Sequence, residues 1–390
     1  MLSLSSNVAA RIAVTVFFAF LYYFVIGTQL AVLPVFVHVH LRFSPVIAGI
    51  AISMQYVATL VSRPRAGQMS DTAGAKRTVM RGQIAGAISG AILLVAAFAS
   101  HWPVASLALL LVSRLFLGAG ESCVATGATL WGIGRTGPKH TAQVISWSGV
   151  ATYGALAAGA PLGVWIENRY GLAILAAIVT ALPFLGYAIA NTVPAVAVMK
   201  GKTLAFGKLL RRVYPHGLAL ALSTVGFGVI ASFATLFYAS FHWPNAALSL
   251  TVFGLCFVAT RVLFAGTIDK RGGLPVASVS LVIEVIGLLL LWRARTPHEA
   301  MFAAAITGFG FALVFPAIGV EAVKRVDAAN RGSALGVYTA FLDLALGVTG
   351  PAAGVIVTHF GYSTIFLFAA MMAFAALLLT LAMFRRSTEV

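Results

Sequence analysis

Charged residues are scarce in this chain of 390 residues, where they make up 9% of the composition and only 10 of them are acidic. A soluble domain carries about 25% charged residues, so this composition excludes a solvated surface of ordinary size. The chain also lacks the HExxH, GxSxG and GxxxxGK[ST] patterns that place a metal, a nucleophile or a nucleotide phosphate. We therefore expect no enzyme activity and no cofactor.

Cysteine is equally rare. Cys123 and Cys256 each lie alone in an apolar run, without the CxxC spacing that a zinc or redox site requires. His38 and His40 are two residues apart and so do not share a helix face, which argues against a metal site there. The thiols are interpreted as small buried hydrophobic groups.

Apolar sequence is abundant instead, since 60% of the residues are hydrophobic and the mean hydropathy is +0.98. A helix needs about 20 apolar residues to cross the hydrocarbon core of a bilayer. The sequence therefore predicts an all-α membrane protein embedded in the lipid bilayer. Its twelve predicted spans lie at roughly residues 12–35, 45–65, 78–100, 103–132, 141–165, 171–193, 214–240, 246–267, 274–292, 299–320, 332–357 and 363–384.

The basic residues are distributed unevenly over the predicted loops. Of the 26 lysines and arginines, 20 fall on one side and four on the other, while Arg114 and Arg261 lie within spans. The positive-inside rule then predicts that both termini and the central loop are cytoplasmic. The same rule accounts for the net charge of +16, so no nucleic-acid partner is expected.

Two stretches that are 198 residues apart share one pattern. Residues 63–77 read RPRAGQMSDTAGAKR, and residues 261–273 read RVLFAGTIDKRGG. In each, an arginine is followed eight residues later by an aspartate and three further by a glycine: Arg63, Asp71 and Gly74, then Arg261, Asp269 and Gly272. GAPLG at 159–163 and GPAAG at 350–354 form a second pair. Duplicated halves are typical of transporters.

This repeat predicts two six-helix bundles, at residues 1–193 and 214–390, joined by a cytoplasmic loop at 194–213. The loop contains FGKLLRRV, a piece that could form a basic amphipathic helix on an anionic membrane surface. Plain retention of basic residues on the cytoplasmic side explains it equally well.

These motifs resemble the major facilitator superfamily of transporters. GQMSDTAGAKR resembles its signature between spans two and three, RLFLGAGE at 114–121 its fourth-span motif, and GAPLG the fifth-span motif of antiporters. Longer stretches are similar to the YhhS/YfcJ-type bacterial transporters, a drug-efflux-like group. The resemblance implies a monomer in the bacterial inner membrane that moves a small molecule by alternating access.

The sequence departs from the superfamily pattern in three places. Thr72 replaces a basic residue, Pro161 stands one place late in the fifth-span motif, and the first span has no acidic residue. The last two departures weaken the case for antiport. Proton-coupled export of small amphipathic compounds is therefore the first hypothesis, and import or facilitated diffusion of sugars or other metabolites stays open.

Charged side chains within spans are costly and so mark candidate functional positions. Arg114 and Glu121 are seven residues apart and share one helix face, which predicts a proton-coupling pair or, alternatively, a static ion pair. Asp343 is the proton-carrier candidate of the second half, with a hydrogen bond to a neighbouring helix as the alternative. Glu284 is expected to be structural, because the resemblance places span nine at the periphery.

The repeated loops are predicted to form a gate from Arg63, Gly67, Asp71, Gly74, Arg261 and Asp269. Asp71 is not needed for topology, so we expect it to pair with a cation or with the N-terminus of a helix. Gly67 and Gly74 are expected to make the reversal of the chain.

The resemblance implies a substrate cavity lined by spans 1, 4, 7 and 10 with parts of 2, 5, 8 and 11. Aromatic walls with a few polar groups suit an amphipathic organic ligand, although each ring is also consistent with packing. The candidates are Tyr22, Gln29, Gln55, Tyr56, Tyr153, Phe227, Phe233, Phe311, Phe315 and Tyr338.

Overall fold

The computed structural model describes residues 2–196, 206–264, 266–326 and 331–388. These residues form fourteen α-helices with short connections: α1 (Leu2–Leu30), α2 (Leu33–Val35), α3 (Pro45–Ala73), α4 (Ala75–Phe98), α5 (Pro103–Thr136), α6 (Thr141–Thr192), α7 (Phe206–Ser240), α8 (Ala246–Phe264), α9 (Gly266–Arg271), α10 (Gly273–Arg293), α11 (Pro297–Phe311), α12 (Val314–Lys324), α13 (Arg331–Phe360) and α14 (Thr364–Thr388). A π-helical turn, Phe36–His40, follows α2.

Eleven helical segments of the described chain are long and apolar enough to cross a membrane. One of them belongs to α6, whose 52 residues would extend about 78 Å at ~1.5 Å per residue. That length is more than twice a hydrocarbon core of ~30 Å. The backbone of α6 leaves the helical conformation at Gly171 (φ 81°, ψ 169°). Counting α6 as two spans gives twelve, and the predicted all-α membrane fold is confirmed.

The chain divides into two compact units. The first unit comprises Met1–Arg42 and Met54–Lys200, and the second comprises Phe43–Ser53 and Gly201–Val390. The main division falls within the predicted connection at 194–213, of which residues 197–205 lie outside the described part. The basic piece at 206–213 forms the first turns of α7, where Leu209 and Val213 are buried in the core of the second unit.

Glycines of the GAPLG motif bring α6 against α1 in the first unit. A Cβ atom at Gly159 would lie 2.7 Å from the carbonyl oxygen of Phe24, and one at Gly163 would collide with the backbone of Thr28. Such small residues let two helix backbones approach closely. The motif is therefore a helix-packing surface within the first unit.

The related GPAAG motif has a different partner. Gly350 lies against the backbone of Gly49, and a Cβ atom at Gly354 would lie 2.6 Å from the Cα of Val46. Ser53 Oγ also donates a hydrogen bond of 3.0 Å to the carbonyl of Leu346. These contacts on α13 explain why the first turns of α3 belong to the second unit.

The two repeated loops have the same backbone conformation at equivalent glycines. Gly74 (φ 93°, ψ 150°) precedes α4, and Gly272 (φ 84°, ψ 160°) precedes α10. This backbone region is essentially restricted to glycine. Gly67 lies inside α3 and has no positive φ, so the expectation that it helps to reverse the chain is wrong. The reversal rests on Gly74.

Candidate functional site

A buried arginine organises the polar interior of the first unit. Arg114, on α5, is 0% exposed. Its Nη1 donates to Oε1 of Gln29 at 3.1 Å, and its Nη2 donates to Oε1 of Gln55. The Nε atom has no hydrogen-bond partner. The guanidinium is thus held by two neutral amides, one on α1 and one on α3.

Glu121 lies two turns further along α5 and is 4% exposed. Its Oε2 accepts hydrogen bonds from Gln55 Nε2 at 2.7 Å and from Thr59 Oγ1 at 3.1 Å. Gln55 therefore uses its oxygen for Arg114 and its nitrogen for Glu121. We call Gln29, Gln55, Thr59, Arg114 and Glu121 the polar cluster.

Glycine allows α3 to reach α5 at this point. A Cβ atom at Gly118 would collide with the carbonyl oxygen of Gln55. The Thr59 hydroxyl also donates to the carbonyl of Gly118 at 3.1 Å. Since Gln55 and Thr59 are four residues apart on α3, they share a face, and that face lies on α5.

Tyr22, on α1, contacts both α4 and α5 in this region. Its hydroxyl donates to the carbonyl of Leu117 at 2.8 Å, and its ring lies against Gly86, where an added Cβ would be 2.7 Å away. The side chain is 0% exposed. Tyr22 thus packs between α1, α4 and α5, next to the polar cluster.

Aromatic side chains form the interior of the second unit. The rings of Phe227 and Phe311 stack with centroids 5.8 Å apart. Phe253 lies 5.7 Å from Phe227, and Phe257 lies 5.9 Å from Phe311. We call these four rings, with Phe315 and Tyr338 at 5.2 Å from each other, the aromatic chain.

Arg261 joins the two parts of the aromatic chain. Its guanidinium carbon lies 4.9 Å from the ring centre of Phe257 and 5.8 Å from that of Phe315. Its Nε donates to the carbonyl of Ala312 at 3.0 Å. Ala312 lies in the break between α11 and α12, so a helix interruption supplies this acceptor.

Comparison with known proteins identifies the family. The sequence matches the Major Facilitator Superfamily over residues 15–214 and 216–390. This chain belongs to the major facilitator superfamily. The predicted recognition is confirmed at that level, while the narrower YhhS/YfcJ-type likeness stays a prediction from the motifs.

Similar bacterial proteins are MFS-type transporters by name. An uncharacterized MFS-type transporter of Burkholderia mallei (strain SAVP1) is 55% identical over 379 residues, which cover 97% of this chain and 93% of the relative. Another, from Pseudomonas aeruginosa (strain UCBPP-PA14), is 49% identical over 385 residues, covering 99% and 96%.

Solved structures share the MFS fold. The D-xylose–proton symporter has a TM-score of 0.78 at 16% identity and covers 95% of this chain and 97% of its own. A mutant of the nucleoside transporter NupG has a TM-score of 0.75 at 17% identity, covering 97% and 100%. At these identities the likeness concerns the fold alone.

The other predicted residues of this MFS chain differ in their burial. Asp343 on α13 and Phe233 on α7 are buried in the second unit, as is Tyr56 on α3 in the first. Tyr153 on α6 and Arg63 on α3 are half-buried, whereas Asp71 on α3 and Asp269 on α9 are exposed. Sequence reasoning missed Thr59, Phe253 and Phe257. For Thr59 and Phe257, the spacing of four from Gln55 and Arg261 is the signal that could have found them.

Proposed function

We propose that this MFS chain is a secondary active transporter that exports small organic or amphipathic compounds by proton antiport with alternating access. The observation that carries the proposal is the position of Gln55, whose single amide contacts both Arg114 and Glu121. A change of charge at Glu121 is thereby transmitted to the arginine and to α1.

Protonation of Glu121 weakens the contacts that it accepts. Hydrogen bonds to an ionised group are roughly twice as strong as neutral ones, so Gln55 Nε2 and Thr59 Oγ1 lose much of their hold when the carboxylate becomes neutral. The Gln55 amide is then held mainly by Arg114. Two arrangements of α3 against α5 follow, one for each protonation state, and alternating access requires such a two-state element.

The substrate class follows from the chemistry of the two units. The polar cluster supplies a cation and amide groups, and the predicted binding residues Phe227, Phe311, Phe315 and Tyr338 belong to the aromatic chain. A polar or anionic group matches the chemistry of the polar cluster, and an apolar ring system matches that of the aromatic chain. Asp343 is proposed as the second proton carrier.

Proton antiport can supply the energy for such export. Exchange of one proton for one neutral substrate molecule moves one charge down the membrane potential and releases ~2.3 kcal/mol per 100 mV, which corresponds to an about 50-fold substrate gradient. One proton per cycle therefore suffices for moderate accumulation.

Transport into inside-out vesicles tests the proposal. With an acidic lumen, vesicles that contain the wild-type protein should accumulate a fluorescent amphipathic anion, and the Glu121→Gln plus Asp343→Asn protein should only equilibrate it. Glu321→Gln is the matched control, because Glu321 pairs with Lys324 near a helix end. Full accumulation by the double variant would refute proton coupling through these residues.

A second candidate is an importer or facilitator of sugars or other metabolites. The absence of an acidic residue from the predicted first span, residues 12–35, favours it. Solved proteins of the same fold include one named as a xylose–proton symporter. Counterflow of labelled sugars that needs no pH gradient would favour this candidate over export.

We also propose where the protein is located and that its repeated turns act in gating. The protein is a monomer in the bacterial inner membrane with cytoplasmic termini. Arg63, Asp71 and Gly74 form a gating element of the first unit, and Arg261 and Asp269 form its counterpart in the second. An Asp71→Asn protein should transport more slowly, and the accessibility of cysteines introduced along α3 should change. An unchanged rate with unchanged accessibility contradicts the gate.

A further inference from the structure

In the second unit, one oxygen of the Glu284 carboxyl group has no hydrogen-bond partner. Glu284 lies midway along α10 and is 0% exposed. Its Oε2 accepts a hydrogen bond of 2.7 Å from Ser223 Oγ on α7, whereas Oε1 has no hydrogen-bond partner. The peripheral, structural role expected from the sequence does not account for such a group.

Glycine makes the space that the carboxyl occupies. A Cβ atom at Gly226 on α7 would lie 2.9 Å from Glu284 Oε1, so any larger residue would displace the carboxyl. On the other side, a Cβ atom at Gly310 on α11 would lie 2.8 Å from the Glu284 Cα. Glycines on α7 and α11 thus leave room for Glu284 at this position of α10.

Charged groups do not compensate this carboxyl. Helix α10 packs against α7, α9, α11, α12 and α14, and within the described parts of these helices Ser223 is the one side chain that hydrogen-bonds to the Glu284 carboxyl. The other titratable group on that face of α7 is His216, which is two turns away, is 1% exposed and has no hydrogen bond at either ring nitrogen. It lies ~10.5 Å along the helix from Ser223 and gives no direct contact.

Burial without a counter-charge favours the neutral acid. An ionised carboxylate that leaves water without a cation costs several kcal/mol, and a single serine hydroxyl satisfies only one of its roughly four acceptor positions. A neutral carboxylic acid needs fewer hydrogen-bond partners, and its own O–H can donate to Ser223 Oγ. The surroundings of Glu284 therefore match the protonated form.

We propose that Glu284 is a reversible proton-binding site, enclosed by Ser223 and Gly226 of α7. Its ligand is the proton, and occupancy is linked to the packing of α10 against α7, because loosening that contact admits water to the carboxyl. The site is independent of the proposed function: it holds for any transported compound and for either direction of transport.

Carboxyl-specific labelling tests the site. Dicyclohexylcarbodiimide modifies protonated carboxyl groups in apolar surroundings, and peptide mapping of the purified full-length protein reports which glutamates react. We expect Glu284 to be labelled at low pH and the labelling to fall by up to about tenfold per pH unit once its midpoint is passed. Glu299, which is exposed, and Glu321, which is ion-paired, serve as internal controls that stay unlabelled.

Two variants and a second measurement keep the test decisive. The Ser223 hydroxyl stabilises the ionised carboxylate more than the neutral acid, because hydrogen bonds to an ionised group are roughly twice as strong. Ser223→Ala should therefore let labelling persist to higher pH. Glu284→Gln should abolish labelling and, in infrared spectra, remove one carboxylic-acid band that disappears from the wild type as the pH rises. Absence of both the labelling and the band would show a permanently ionised group, and labelling or a band that is insensitive to pH would show a permanently neutral one. Either result overturns the proposal.

Discussion

Arg114 and Arg261 are both buried, one in each unit, and their surroundings differ in kind. Two amides hold Arg114, and one of these amides also holds Glu121. Two phenyl rings and a main-chain carbonyl hold Arg261. A ring face attracts a cation at every pH, whereas the amide joins its cation to Glu121, the carboxyl group that we propose gains and loses a proton. The same residue type therefore belongs to a hydrogen-bonded network in the first unit and to an aromatic chain in the second.

Removing the first arginine should have the largest effect. Arg114→Met removes the positive charge of the polar cluster and leaves two amide oxygens without their donor. Each buried polar group left unsatisfied costs about 1–3 kcal/mol. We expect transport to be lost and the midpoint of thermal unfolding in detergent to fall sharply. Adding Glu121→Gln should restore much of the stability without restoring transport. If the double variant is no more stable than the single one, the two residues are not coupled through Gln55.

The repeated turns should respond alike in both units. Gly74→Ala and Gly272→Ala each place a side chain at a positive φ with ψ near 150° to 160°, a conformation that costs about 1–3 kcal/mol. Comparable losses of thermal stability are expected for both. A large loss at one position with none at the other would show that the repeat is not energetically equivalent.

Replacing each arginine by lysine keeps the positive charge but removes the planar guanidinium group. The two arginines should respond differently to this change. Arg261→Lys forfeits stacking on two rings, worth about 0.5–2 kcal/mol, and should reduce stability moderately. Arg114→Lys cannot contact both amides with the same geometry and should reduce transport more than stability. Paired measurements of transport rate and thermal unfolding distinguish the two patterns. Equal effects on both quantities would remove the contrast between the units.

The smallest effect is expected within α3. Gly67 is helical, and an added Cβ would meet nothing within 4 Å, so Gly67→Ala should be neutral or stabilising by up to about 1 kcal/mol. It is the matched control for Gly74→Ala. A loss of stability at Gly67 would contradict the open space on this face of α3.

The polar cluster was partly predictable. Seven-residue spacing placed Arg114 and Glu121 on one face, because helical periodicity is a local property. That spacing does not reveal which side chain lies between them, since Gln55 comes from a separate helix. Similarly, Arg261 was recognised from the repeat, but its acceptor at Ala312 depends on a break in a span that hydropathy reads as continuous.

By itself, the sequence determined the all-α membrane fold, the twelve spans and the glycine turns at Gly74 and Gly272. Apolar length and backbone strain act on residues that are close along the chain. Only the tertiary structure decided that one amide contacts both charges of the first unit, that the first turns of α3 belong to the second unit, and that Glu284 is enclosed by α7 and α11. These outcomes depend on which helix faces meet, and apolar spans pack by small-residue contacts that residue order alone does not assign.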